Sequence, residues 1–255
     1  MDLGAILGPI VALGMIMGGM IAKHAANLIP EIAINLPSIL IVIGGTVGSL
    51  MVAYPLPDFI GSLKAISKYL KPVPVDPAAL MTEILEYATI ARKESILALE
   101  KRVDSIQFKP LAIGIRMAVD GTDLNIIRDS LETEAAFAHE EAEVSVKFWE
   151  DFGAIAPTIG ILGAVIGLMK VMGVLDQPEK IGPGIAVAFI ATIWGVGVAN
   201  IFGIPIGKRL KRKANIEHHA RTMAIIGVEG IMSGHNPKLI EAKLKIFVHS
   251  KDGDH

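Results

Sequence analysis

The sequence predicts an all-α membrane protein: four transmembrane helices, with a helical cytoplasmic domain inserted between the second and the third. Three observations predict it. Four stretches, about residues 3–22, 32–54, 152–169 and 181–207, contain no acidic or basic residue. At about 1.5 Å of rise per residue, each is long enough to cross a hydrocarbon layer about 30 Å thick as a helix. The chain is 52% hydrophobic with a mean hydropathy of +0.53, yet 20% of its residues are charged, and those charges cluster between the stretches. The fourth stretch ends in Lys208-Arg209-Leu210-Lys211-Arg212-Lys213, the basic flank of a cytoplasmic span end.

The expected division follows. Residues 1–54 hold spans one and two (about 3–22 and 32–54), and 55–151 a cytoplasmic helical domain. Residues 152–207 hold spans three and four (about 152–175 and 181–207), and 208–255 form a basic cytoplasmic tail. Met1-Asp2-Leu3-Gly4 has no basic n-region and no small-residue cleavage site, so span one is read as a span and not as a removable signal peptide. Counting back from the basic flank puts 176–184 outside, 55–151 inside, 23–31 outside and both termini in the cytoplasm. Lys170, near the outer end of span three, is expected to snorkel to the interface as an anchor. Cysteine is absent, which excludes disulfides and thiolate metal sites.

Within 55–151 the pattern is helical. Asp76-Pro77 opens a helix, an N-cap acceptor followed by the residue that tolerates the first turn, and Leu80, Ile84, Leu85, Ala88 and Ala91 form its apolar stripe. A second helix is expected over about 93–103 with Ile96, Leu97 and Leu99 inward, and a third over 109–119, closed by Asp120-Gly121. Thr122-Asp123 opens a long helix striped by Leu124, Ile127, Leu131, Ala135 and Ala138. With no proline before Pro157, it is expected to run straight into span three. This domain carries 11 basic and 17 acidic residues, whereas 207–255 carries 10 basic and 5 acidic. Positive-inside topology and solvated helix faces account for that asymmetry; a docking surface for a cytoplasmic partner is the sharper alternative.

The spans are dense in small residues. Span four has Ala191, Gly195, Ala199, Gly203 and Gly207 at every fourth position. Span three has Gly160, Gly163, Ala164 and Gly167, span two Gly44 and Gly48, and span one Gly4, Gly8, Ala12, Gly14 and Gly18. Small residues let helix backbones approach closely where no hydrophobic force drives association. Four spans offer too few partners for so many smooth faces, so homo-oligomerisation is expected, with spans three and four as the faces least suited to packing inside one monomer. Polar groups there are few: Thr158, Thr192, Trp194 and Asn200, with Pro157 and Pro205 at the cytoplasmic ends, where a missing N–H frees a carbonyl and permits a bend. Thr158 is read either as a hydroxyl bonded back to its own helix or as a lumen group. Thr192 follows Ala191 and is placed near the same lumen.

One feature of the spans stands out. Membrane spans that move ions normally bury a carboxylate, and these bury none. Either the chain conducts nothing, or a partner brings the charge.

Several runs of residues resemble a known family. Phe152-Gly153-Ala154-Ile155-Ala156-Pro157-Thr158-Ile159-Gly160, then Gly163-Ala164-Val165-Ile166-Gly167-Leu168, are similar to the flagellar stator channel subunits of the MotA/PomA type, in the MotA/TolQ/ExbB superfamily. So are Ile181-Gly182-Pro183-Gly184-Ile185-Ala186-Val187-Ala188 and Ala199-Asn200 with Ile204-Pro205-Ile206. Ala91-Arg92-Lys93-Glu94, Leu97-Ala98-Leu99-Glu100 and Val119-Asp120-Gly121 fit the family's cytoplasmic domain. The resemblance implies a ring, expected to be a pentamer, in the bacterial inner membrane. Such a ring surrounds two chains of a peptidoglycan-anchored MotB/PomB-type partner, whose single span supplies an ion-binding aspartate. Ions pass between that helix and spans three and four, and the turning ring pushes a rotor switch-complex protein.

Carried over residue by residue, the resemblance puts rotor-contacting charges at Arg92 and Glu100, with Lys93 adjacent; without it they would read as an exposed intrahelical pair. It puts the prolines that couple ion flow to movement at Pro157 and Pro205, and the threonine near the ion path at Thr192. Sodium-driven members tend to have hydroxyls where this chain has Ala164 and Ala191. A methyl cannot replace a water ligand of a desolvated sodium ion, so proton coupling is expected.

Two other readings are weighed. A TolQ/ExbB-like energiser of outer-membrane processes has three spans, with its large inside segment after the first. A non-conducting membrane scaffold would need one sticky face and not several. No enzyme, cofactor, metal or nucleic-acid partner is expected: the seven histidines lack helical metal spacing, and His218-His219 is placed in a solvated tail.

Overall fold

A computed structural model describes residues 3–73 and 75–249, and among these every regular element is helical. Four helices are long and apolar enough to cross a membrane: Leu3–Ala22, Leu36–Ala53, Leu124–Met172 and Pro178–Met232. By internal packing the chain forms two units, Met1–Pro72 with Glu143–Lys211, and Val73–Ala142 with Arg212–His255. This division differs from the expected one at both edges of 55–151 and in the tail.

The first unit holds the spans. Span two starts later than its apolar run suggests. Leu28–Ala33 is a separate short helix; the Asn35 side chain then accepts a hydrogen bond from the Ser38 N–H (3.1 Å), with proline in the first turn. A local cap thus overrides an apolar run. The expected segment 55–151 also gives its first residues to this unit, as the short helices Leu56–Lys64 and Ile66–Leu70. Phe59, Ala65 and Tyr69 share one core with Ala5, Leu50, Phe148, Trp149, Ile206 and Leu210. One end of each span contributes to that core: the start of span one, the end of span two, the start of span three and the end of span four. Four antiparallel passes place those ends on one side.

The second unit is built from Pro77–Glu94, Lys109–Val119 and parts of the helices Leu124–Met172 and Ile204–Met232, with Pro237–His249. Leu80, Ile84, Ala88, Leu111, Ile115, Ile127 and Leu131 are buried together with Ala220, Met223, Ala224, Val228, Ile240 and Leu244. Among the described residues, 220–244 therefore contribute to a buried core and are not a solvated tail. Gly121 adopts φ +79°, a left-handed close that favours glycine, just after Lys109–Val119. The expected helix over 93–103 is broken. Pro77–Glu94 ends at Ser95, which sits at φ +100°; a 3-10 turn Ile96–Leu99 follows, and Glu100–Val103 resumes as a helix.

Candidate ion-path and coupling site

Spans three and four zip together antiparallel along their smooth faces. A methyl group added to Gly195 would lie 2.7 Å from the Ala156 carbonyl oxygen and 3.0 Å from the Gly160 Cα. One on Gly203 would lie 3.0 Å from the Gly153 Cα, one on Gly167 3.0 Å from the Ala188 Cα, and one on Gly163 3.0 Å from the Ala191 Cβ. Ala199 is fully buried in the same region with Val42, Ala156, Ala191 and Val198. This corrects the expectation that the smooth faces of spans three and four are kept for neighbouring copies: a glycine stripe looks the same whether its partner lies in the same chain or another. The open glycines are elsewhere, with nothing within 4 Å of a methyl added at Gly8, Gly14, Gly18, Gly44, Gly48 or Gly197.

The two prolines act on one crossing. Pro157 lies inside Leu124–Met172 and leaves the Gly153 carbonyl without its usual helical donor. Pro205 removes the donor for Ile201, and the chain answers with a π-helical turn over Ala199–Gly203, where the Ile204 N–H bonds to Ala199 across five residues. Gly153 is the residue that Gly203 and Ile204 touch: a methyl on Gly153 would lie 3.2 Å from the Ile204 nitrogen. Both weakened ladders thus meet at one close backbone crossing, Gly153 against Gly203 and Ile204. Span two has a second π-helical turn, Leu40–Gly44, and just beyond it the Thr46 hydroxyl is fully buried without a hydrogen-bond partner.

The ion-path candidates separate. Ala191 is buried against span three, whereas Ala164 and Thr192 are half-buried. Thr158 is exposed and donates to the Ile155 carbonyl at 2.7 Å, one residue nearer than the i−4 bond expected for such a hydroxyl. It begins an exposed stripe with Leu162, Val165 and Met169. Span four presents Phe189, Ile193, Val196 and Asn200 in the same way, and the Asn200 amide donates to the Val196 carbonyl at 2.9 Å. Trp194 donates to the Ile32 carbonyl at 2.8 Å, and Tyr54 to the Asp151 carboxylate at 2.6 Å; neither bond had a signal in the sequence.

In the second unit Arg92, Lys93 and Glu100 are all exposed. They flank the break at Ser95, so Arg92 and Glu100 are not an intrahelical pair. The Arg102–Glu86 ion pair (2.6 Å) joins the two sides of that break. His218 is half-buried, its ring 4.6 Å from that of His139, which corrects its placement in a solvated tail. Burial holds the His218 imidazole below its ordinary pKa; the neighbouring His139, His219 and Arg221 push the same way, and a hydrogen bond with the Ala135 backbone opposes them. Arg221 bridges Glu134 and Glu217 beside it.

Comparison with known proteins places these features. The MotA/TolQ/ExbB proton channel family matches residues 100–223. Motility protein A of Aquifex aeolicus is 36% identical, over 97% of this chain and 97% of its own length. This chain belongs to that family. The structure of C. jejuni MotAB superposes with a TM-score of 0.92 at 31% identity, covering 99% of this chain and 98% of that one. The flagellar MotAB stator complex of Bacillus subtilis gives 0.87 at 30% identity, covering 98% and 99%. The family's fold is therefore present along the whole described chain.

Proposed function

We propose that this chain is the ion-conducting stator subunit of a flagellar motor and couples inward proton flow to torque on the rotor. The observation that carries the reading is the pairing of carboxylate-free spans with two exposed stripes on spans three and four, each holding one polar group, Thr158 and Asn200. Such faces suit a partner helix that brings the ion-binding acid, and the stator complexes that this chain resembles contain two kinds of chain. The partner is a peptidoglycan-anchored subunit of the MotB/PomB type, and copies of this chain form a ring around it. The membrane is the bacterial inner membrane, with both termini cytoplasmic, a reading that the basic run after span four supports.

Proton movement needs only a carboxylate that binds and releases a proton between two aqueous sides. Ala164 and Ala191 offer no oxygen to a desolvated sodium ion. Force is transmitted where Pro157 and Pro205 weaken adjacent ladders at the Gly153–Gly203 crossing, because a helix bends where a hydrogen bond is missing. The exposed charges Arg92, Lys93 and Glu100 form the rotor contact, held out by the strained turn at Ser95.

Proton uptake into proteoliposomes tests this reading. Chain and partner together are expected to admit protons, while the chain alone and a complex with the partner's span aspartate changed to Asn admit none. Equal uptake by the chain alone would contradict the proposal.

A further inference from the structure

The short helices after span two have one face that packing uses and one that it leaves bare. Phe59 and Ser62 of Leu56–Lys64 are buried: Phe59 meets Phe148 edge to face at 5.4 Å, and the Ser62 carbonyl accepts the Trp149 indole N–H at 3.0 Å. Tyr69 of Ile66–Leu70 donates to the Ala5 carbonyl at 3.2 Å and lies under the Arg209 guanidinium, 5.5 Å from the ring centre. The pair is thus tied to the start of span one, the start of span three and the end of span four.

The opposite face is apolar and uncovered. Leu56, Ile60 and Leu63 recur at i, i+4 and i+7 and are 58%, 42% and 42% exposed. They follow directly on Met51 and Val52, 53% and 90% exposed at the end of span two. Lys64, Lys68 and Lys71 are exposed as well, and Asp58 is the only acid between residues 55 and 72. A short helix with an apolar stripe and lysines at its border suits the boundary between acyl chains and headgroups.

We propose that residues 56–71 bind anionic phospholipid in the leaflet at this end of the spans. The Leu56, Ile60 and Leu63 stripe enters the acyl boundary, and Lys64, Lys68 and Lys71 hold headgroup phosphates. Two arguments select lipid as the occupant: the stripe continues an exposed apolar span surface, and the local charge is net basic, with Lys64, Lys68 and Lys71 against Asp58. Because four span ends pack against the other face, bound lipid fixes the height of the bundle in the leaflet. The inference is independent of ion conduction, so it stands or falls separately from the stator reading.

Absence of cysteine makes the test direct. Ile60→Cys in the full-length chain, labelled with a fluorophore and reconstituted in phosphatidylcholine–phosphatidylglycerol nanodiscs, is expected to be quenched by lipids spin-labelled high on the acyl chain. Leu97→Cys in the second unit is not. Native mass spectrometry should show retained phosphatidylglycerol enriched over phosphatidylcholine. The Lys64→Gln/Lys68→Gln/Lys71→Gln variant should lower that enrichment on the order of a hundredfold, and Lys64→Gln alone about fivefold, which keeps the test open if the triple variant misfolds. An unquenched Ile60→Cys that instead cross-links between copies would overturn the proposal, giving the face to a second chain. Equal retention of the two lipids by the unaltered chain would also overturn it.

Discussion

Gly160 and Gly195 meet backbone to backbone: a methyl group on Gly195 would stand 3.0 Å from the Gly160 Cα and 2.7 Å from the Ala156 carbonyl oxygen. No side-chain rotation relieves such a contact, because both neighbours are main chain. Gly195→Ala is therefore expected to destabilise the chain by about 1–3 kcal/mol, the range for overpacking a filled site. Gly197→Ala, with nothing within 4 Å, is expected to be neutral or to gain up to about 1 kcal/mol from helix propensity. Thermal unfolding in detergent separates the two; equal melting temperatures would contradict the zipper.

Pro205→Ala returns the N–H whose absence leaves the Ile201 carbonyl, in the π-helical turn over Ala199–Gly203, without its α-helical donor. The expected outcome is an unchanged or higher melting temperature, since an interior proline costs about 3 kcal/mol, together with slower swimming. Lost stability along with lost motility would assign Pro205 to folding instead of coupling.

His218 gives the second unit a pH dependence. Its folded-state pKa lies below the unfolded value, so the unfolded chain binds more protons and stability rises with pH. Stability is fully present above the unfolded value of about 6.5 and falls as pH drops below it, until His218 is protonated in the folded state too. His218→Gln should flatten the slope of melting temperature against pH across that window. An unchanged slope would show that other groups set it.

Ser95 holds φ +100° and ψ 163°, a backbone region that is essentially glycine's. Ser95→Gly is expected to raise stability by about 1 kcal/mol, the strain relieved less glycine's added unfolded-state freedom. Chemical denaturation measures it, and a loss of stability would contradict the strained turn.

Much of this fold was legible in the chain because its signals are local. Charge-free runs mark the spans, and Thr122-Asp123 with no proline before Pro157 foretells the helix Leu124–Met172, whose start is capped where the Asp123 carboxylate accepts the Asn125 N–H at 2.8 Å. Less local features were not legible. The cap at Asn35 competes with an apolar run on either side, so span two seemed to start too early. The left-handed Ser95 has no residue signature, since serine rarely adopts it. The helical pattern over 224–231 and 237–247 is visible in the chain, but its partners on Pro77–Glu94 lie far away in sequence, so its burial was not. The site divides in the same way: Pro157, Pro205 and Thr192 were visible as residue types, but that the prolines act at one Gly153–Gly203 crossing follows only from packing.

The most direct measurement is the swimming speed of a strain lacking its own stator, complemented with this chain and its partner, as sodium is replaced by potassium at constant pH. The expected result is restored swimming that is unchanged without sodium and abolished by a protonophore. Swimming that tracks sodium would contradict proton coupling. No swimming, with both chains expressed in the membrane, would contradict the stator function itself.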